Sequence, residues 1–204
     1  MMTLIMAIVL CGCRAKRSSN GPAPLFAAGY FPLTPGSTWI YEGSSDASGR
    51  TFTESMLRDT VLAGRTYAQQ VHFDVQRGKW SRFYRRSGDT VFVLQGAADD
   101  EIFLIEKPDA KWSVSRSDAT GSETEDFEVV DISGVREIAG KTFKDVVHVH
   151  CSLTSLFKGE YFTAESDLYF SRNVGMIEVK RVMESGEGLK TNVFVVKHFV
   201  VEGI

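Results

Sequence analysis

The sequence has little cysteine and no long apolar stretch, and both scarcities narrow its class before any motif is considered. Its three cysteines fall at positions 11, 13 and 151 of 204, too few and too uneven for a disulfide framework. The N-terminal apolar run, residues 2–10, falls short of the roughly 20 residues a membrane-spanning helix requires. No window carries a sustained 3.6-residue apolar period, which excludes long helices. Positive charge is not in excess: a net charge of −3 argues against a nucleic-acid partner, which needs a broad positive field. The Gly-x-Ser-x-Gly elbow of hydrolases is missing, as are phosphate loops and dinucleotide fingerprints. No catalytic residue and no cofactor follows from these residues.

What the sequence does have is aromatic and β-branched material in short alternating runs. Fourteen Phe, six Tyr and three Trp favour strands, where large side chains pack on a pleated surface. Segments 37–42, 50–58, 66–75, 79–86, 90–95 and 101–106 are separated by Gly, Ser and Asp clusters, the pattern of hairpins in series. Segments 111–116, 125–131, 135–138, 145–153, 161–171, 175–184 and 191–201 continue it. Residues 152–158 allow one helical turn at most. In 66–75, Tyr67, Gln69, Val71, Phe73 and Val75 share one face, and Gln70, His72 and Asp74 share the other, as expected where one side of a sheet is wet. The expectation is an all-β domain: an antiparallel meander curled into an open or partial barrel, with a two-sheet sandwich as the alternative.

The first 29 residues read differently. The apolar run ends in Leu10-Cys11-Gly12-Cys13, which resembles the bacterial lipobox: a branched apolar residue three before the modified cysteine and a small residue one before. Cys11 stands where Ala or Ser is usual. No Lys or Arg precedes Arg14, although export signals carry basic residues ahead of the apolar run. Residues 14–29 are basic, then rich in Ser, Asn, Gly, Pro and Ala, as suits a tether. The expected organisation is a signal peptide over 1–12, a lipidated Cys13 with its tether over 13–29, and one β-rich domain over 30–204. A lipid on Cys13 makes the membrane a partner, with Arg14, Lys16 and Arg17 beside anionic headgroups.

Three segments carry a family resemblance. Tyr30-Phe31-Pro32-Leu33, followed by Gly36-Ser37-Thr38-Trp39-Ile40-Tyr41, resembles the opening of a broad group of uncharacterised bacterial lipoproteins. Glu137 to Phe143, then Asp145-Val146-Val147, resembles that group's Ala-Gly-x-Phe turn before an apolar strand. Tyr169 to Ile177 resembles its near-terminal Tyr-Phe…Val-Gly stretch, with Asn173 at a position usually Gly. The resemblance implies an exported β-rich lipoprotein in the cell envelope, at the outer membrane facing the periplasm where a cell has two membranes, and no known activity. The motif residues read as architectural: Trp39 as a core anchor, Gly140 and Gly175 as turn glycines.

The remaining candidates each have a plainer alternative. His148 and His150 are two apart on a strand and share a face, as metal-chelating pairs can, with His72 or His198 as a third ligand; the plainer reading is a polar outer face opposite Val147, Val149 and Cys151. Between Arg77 and Arg86, Trp80, Arg82, Tyr84 and Arg86 share one face and Ser81, Phe83 and Arg85 the other, which suits Arg–aromatic pairing across a sheet. The acidic runs Asp99-Asp100-Glu101 and Glu123 to Asp131 read as solvated loops. Two functions follow. One is a non-catalytic envelope protein that binds an apolar ligand or a partner protein; the other is a secreted hydrolase whose site assembles only in three dimensions. A dry apolar groove favours the first, and clustered ionisable side chains in a pocket favour the second.

Overall fold

A computed structural model describes residues 29–95, 99–186 and 188–202, so Cys13 and its preceding apolar run lie outside the described residues. Twelve strands follow one another: β1 (Thr38–Ser45), β2 (Thr51–Leu62), β3 (Arg65–Asp74), β4 (Gly78–Ser87), β5 (Thr90–Gln95), β6 (Asp99–Ile105), β7 (Lys111–Asp118), β8 (Gly121–Ile138), β9 (Lys141–Phe157), β10 (Glu160–Ser171), β11 (Gly175–Ser185) and β12 (Gly188–Val200). They form one antiparallel sheet ordered β6-β5-β4-β3-β2-β1-β12-β11-β10-β9-β8-β7. Consecutive strands pair everywhere except between β6 and β7, and the β1–β12 ladder joins the two halves. The result is a nearly closed barrel with one unsealed seam, between β6 and β7. The meander and the partial barrel are as expected from the alternating segments.

Two local expectations change. Residues 152–158, allowed a helical turn, extend β9 instead. Segments 125–131 and 135–138 belong to one strand, β8, whose ladder to β9 shifts three times between Val129 and Arg136; such bulges sharpen the curvature a barrel needs. Gly140 follows Ala139 in the two-residue turn from β8 to β9, with φ of 76° and 51°. Tight hairpin turns require positive φ at both central positions, which Gly meets without steric cost.

Antiparallel topology sends alternate hairpins to opposite ends. The β2–β3, β4–β5, β8–β9 and β10–β11 turns share one end with the start of β1 and the end of β12. That end is plugged by the residues ahead of β1. Tyr30, Phe31 and Leu33 are buried, and the Phe31 ring lies 4.9 Å from Tyr84, 4.8 Å from Phe103 and 6.4 Å from Phe170. Each such side chain contributes about 1.5–3 kcal/mol on burial. The Glu106 carboxylate accepts from the Tyr30 and Phe31 amides at 2.8 and 3.1 Å. Arg86 donates both to Glu106, at 2.6 Å, and to the Phe31 carbonyl, at 3.0 Å. Breaking a buried pair of this kind leaves a charge uncompensated, so the latch holds the plug firmly.

Candidate functional site

Above the plug the barrel encloses a lumen of about 700 Å³, within the range of small-ligand sites. Its lining reaches Arg77, Gln95 and Asn192, near the hairpins at the opposite end. The alternation of each strand decides what faces it. On β3 the facing is the reverse of the usual rule: Gln70, His72 and Asp74 point inward, whereas Phe73 and Val75 are exposed outside. A lumen this large is not filled by side chains, so polar residues can face in.

The two walls differ. On β1 to β4, rings stack in sequence from Tyr41 to Phe52, His72 and Trp80, at centroid separations of 4.5, 4.6 and 3.9 Å. Beside them Glu54 meets His72 Nδ1 at 3.3 Å and accepts from Gln70 Nε2 at 3.2 Å. Higher up, Arg50 pairs with Asp74 at 3.0 Å. Burial works to raise the Asp74 carboxyl, but the Gln76 and Arg77 amides and the Arg50 guanidinium outweigh it and hold it below its ordinary value. Burial pushes the Tyr84 hydroxyl up to about 12. The facing wall, β9 to β12, is apolar: Val149, Leu153, Leu168, Val179 and Met183 line it, with Arg181 among them. Cys151 also faces in, and burial pushes its thiol up to about 12, so it stays protonated at neutral pH and is a poor nucleophile.

The acidic runs are not solvated loops. Asp100 and Glu101 belong to β6, and Glu123 to Asp131 to β8. Asp100 accepts from Tyr67, Arg65 and Arg85 at 2.7, 2.6 and 2.7 Å. Glu123 and Glu125 line the lumen and pair with Arg116 at 2.7 and 3.0 Å. The alternation of Glu123, Glu125 and Phe127 was the available signal: three residues of one face, two acidic and one aromatic. Arg181 had a similar sign, since Ile177, Val179, Arg181 and Met183 share a face that is otherwise apolar.

The histidines do not converge. His148 and His150 lie on the outer face of β9, opposite Val147, Val149 and Cys151, and share the Asp167 carboxylate at 2.9 and 3.1 Å. The Asp167 hydrogen bond holds His150 above its ordinary value despite partial burial. His72 lines the lumen, and His198 is exposed on β12. Trp39 is buried, and its indole N–H donates to the Val174 carbonyl. Arg85 sits over its cross-strand neighbour Phe92, 4.2 Å from the ring centroid. Ser155 to Lys158 matches the Ser-x-x-Lys spacing of some serine nucleophiles. Ser155 is buried near the end of β9, while Lys158 lies in the following turn over Phe157, so no helix start presents the two together.

No protein-family model and no curated protein matches the chain. Two solved structures share its fold. One is a candidate lipoprotein of Parabacteroides distasonis, with a TM-score of 0.53 and 12% identity over 88% of this chain and 100% of that one. The other is a candidate exported protein with a YmcC-like fold from Bacteroides fragilis, with a TM-score of 0.52 and 9% identity over 87% of this chain and 100% of that one. The barrel architecture thus recurs at very low sequence identity.

Proposed function

We propose that this protein is a lipid-anchored envelope protein whose barrel lumen carries a small amphipathic ligand without transforming it. The observation that carries the reading is the lumen itself, about 700 Å³ with a polar wall on β2 to β4 and an apolar wall on β9 to β11. The sequence suggested an apolar ligand; the inward-facing charges make an amphipathic one the better fit, because a wholly apolar guest would strip water from them without replacing it. Envelope location draws support from the Leu10–Cys13 segment and from the kinds of protein that share the fold.

One observation favours the hydrolase reading: Glu54 stands against His72 inside the lumen, as an acid that orients a base would. Incubation with chromogenic esters separates the two, since a carrier leaves them intact. The main test is direct. Organic extraction of the purified protein, followed by mass spectrometry, is expected to recover one amphiphile near stoichiometric amount. An empty extract, from a protein that also takes up no amphiphile on incubation, would contradict the reading.

A further inference from the structure

The lumen carboxylates already have partners. Asp74 has Arg50, Glu54 has Gln70 and His72, and Glu123 and Glu125 have Arg116. Arg77 and Arg82 line the polar side, whereas Arg181 lies on the β9–β12 wall. Of all the residues that β9 to β12 contribute to the lining, it alone is charged. Its Nε donates to the buried Ser166 hydroxyl at 2.8 Å, which fixes the guanidinium on the inner face. Among the described residues, no carboxylate lies within ion-pair distance of it. Val179 and Met183 flank it on the same strand face, and Leu168 lies on the neighbouring strand. A guanidinium against an apolar wall is costly without a counter-charge. Its two terminal nitrogens form the planar fork that matches a carboxylate or a phosphate.

We infer that Arg181 anchors the head group of the lumen ligand, and that this ligand is an amphiphile with one terminal carboxylate or phosphate and an aliphatic chain lying on the β9–β11 wall. The inference rests on the lumen reading above and adds the chemistry of the guest. The anion supplies the counter-charge that the wall lacks. The chain covers Leu168, Val179 and Met183, which line the lumen and are only partly buried. An anion without a chain leaves that apolar surface wet, and a chain without an anion leaves the guanidinium unpaired.

Calorimetric titration of the full chain tests this with hexadecanoic acid, hexadecyl phosphate, hexadecan-1-ol and inorganic phosphate. The acid and the phosphate ester are expected to bind at least about tenfold more tightly than the alcohol, the usual scale of a charged hydrogen bond. Whichever of the two binds better identifies the head group. Inorganic phosphate is expected not to compete. Arg181→Gln should bring the acid down to the level of the alcohol and leave the alcohol within about twofold of its original affinity, with Arg181→Lys intermediate. Equal binding of acid and alcohol to the unmodified protein would overturn the inference, and needs no variant to fold. So would equal weakening of both in Arg181→Gln, or competition by inorganic phosphate as strong as by its ester. Failure of every probe to bind the unmodified protein would instead remove the lumen reading itself, and the inference with it.

Discussion

Arg116 on β7 grips Glu101 on β6 across the one gap in the barrel wall where no backbone ladder runs. Its Nε donates at 2.9 Å and its Nη2 at 2.6 Å to the same carboxylate oxygen, while its Nη1 holds Glu123 and Glu125 on β8. The seam is therefore bridged by an ion pair and lacks the hydrogen-bond ladder that joins every other pair of neighbouring strands. Arg116→Ala should destabilise the fold by only about 1 kcal/mol, because the pair is partly solvated. Its local effect should be larger. Amide hydrogen exchange should accelerate in β6 and β7 and stay unchanged in β1 and β12, since opening follows the weakest lateral contact. Uniform acceleration across all strands would show that the seam is not a separate unit.

Trp39 and Gly175 form a second close relationship. A Cβ on Gly175 would stand 3.2 Å from Trp39 Nε1, at a backbone φ of 100° that side chains rarely adopt. Trp39→Ala is expected to cost about 3–5 kcal/mol by emptying a core site. Trp39→Phe keeps much of the bulk but orphans the Val174 carbonyl, at about 1–3 kcal/mol. Gly175→Ala should destabilise as well, through strain against the same ring. Denaturant melts of the three variants give this order directly, and an unchanged midpoint for Trp39→Ala would refute its role as a core anchor.

Acid should weaken the fold through carboxylates whose folded values are depressed. Burial works to raise Asp100, but hydrogen bonds from Arg85, Tyr67 and Arg65 outweigh it and hold it below the ordinary 3.8. Asp74 and Asp167 are lowered likewise. A depressed carboxyl contributes stability above its unfolded value and loses it as pH falls through the folded one. The melting temperature should thus drop below about pH 4. Asp100→Asn should melt lower at neutral pH and lose less on acidification. His150, raised above 6.5, acts oppositely: its contribution is complete below that value and fades as pH rises through the folded one.

Much of this architecture was legible in the residues, and the limits have physical causes. Strand positions followed from alternation: β3 spans Arg65–Asp74 where alternation marked 66–75, and β4 spans Gly78–Ser87 where it marked 79–86. Facing did not follow on β3. Alternation gives two faces but not which is inside, and a lumen too large for side chains to fill removes the rule that the apolar face is inner. That is why His72 and Asp74 looked solvent-directed and Phe73 looked buried. Closure was hidden too, because Trp39 meets Phe199 across the β1–β12 ladder, a pairing distant in sequence. The seam left no periodic mark at all; it depends on where Arg116 and Glu101 fall in their strands.

The lipid anchor is the expectation that the described residues do not reach. Cys13→Ser should leave the chain unprocessed or released from the membrane, as fractionation and mass measurement of the N-terminal peptide would show. A mature protein that begins downstream of Cys13 and carries no acyl chain would exclude the anchor.

Trp80 is placed to report an amphiphile in the lumen. Its indole stacks on His72 and lines the cavity, whereas Trp39 is packed in the core and bonded to the Val174 carbonyl. The most direct measurement is tryptophan fluorescence during titration with a brominated long-chain carboxylate, a contact quencher. Quenching is expected to saturate at one equivalent and to be lost in Trp80→Phe. Quenching that rises linearly without saturation, or that persists undiminished in Trp80→Phe, would contradict it.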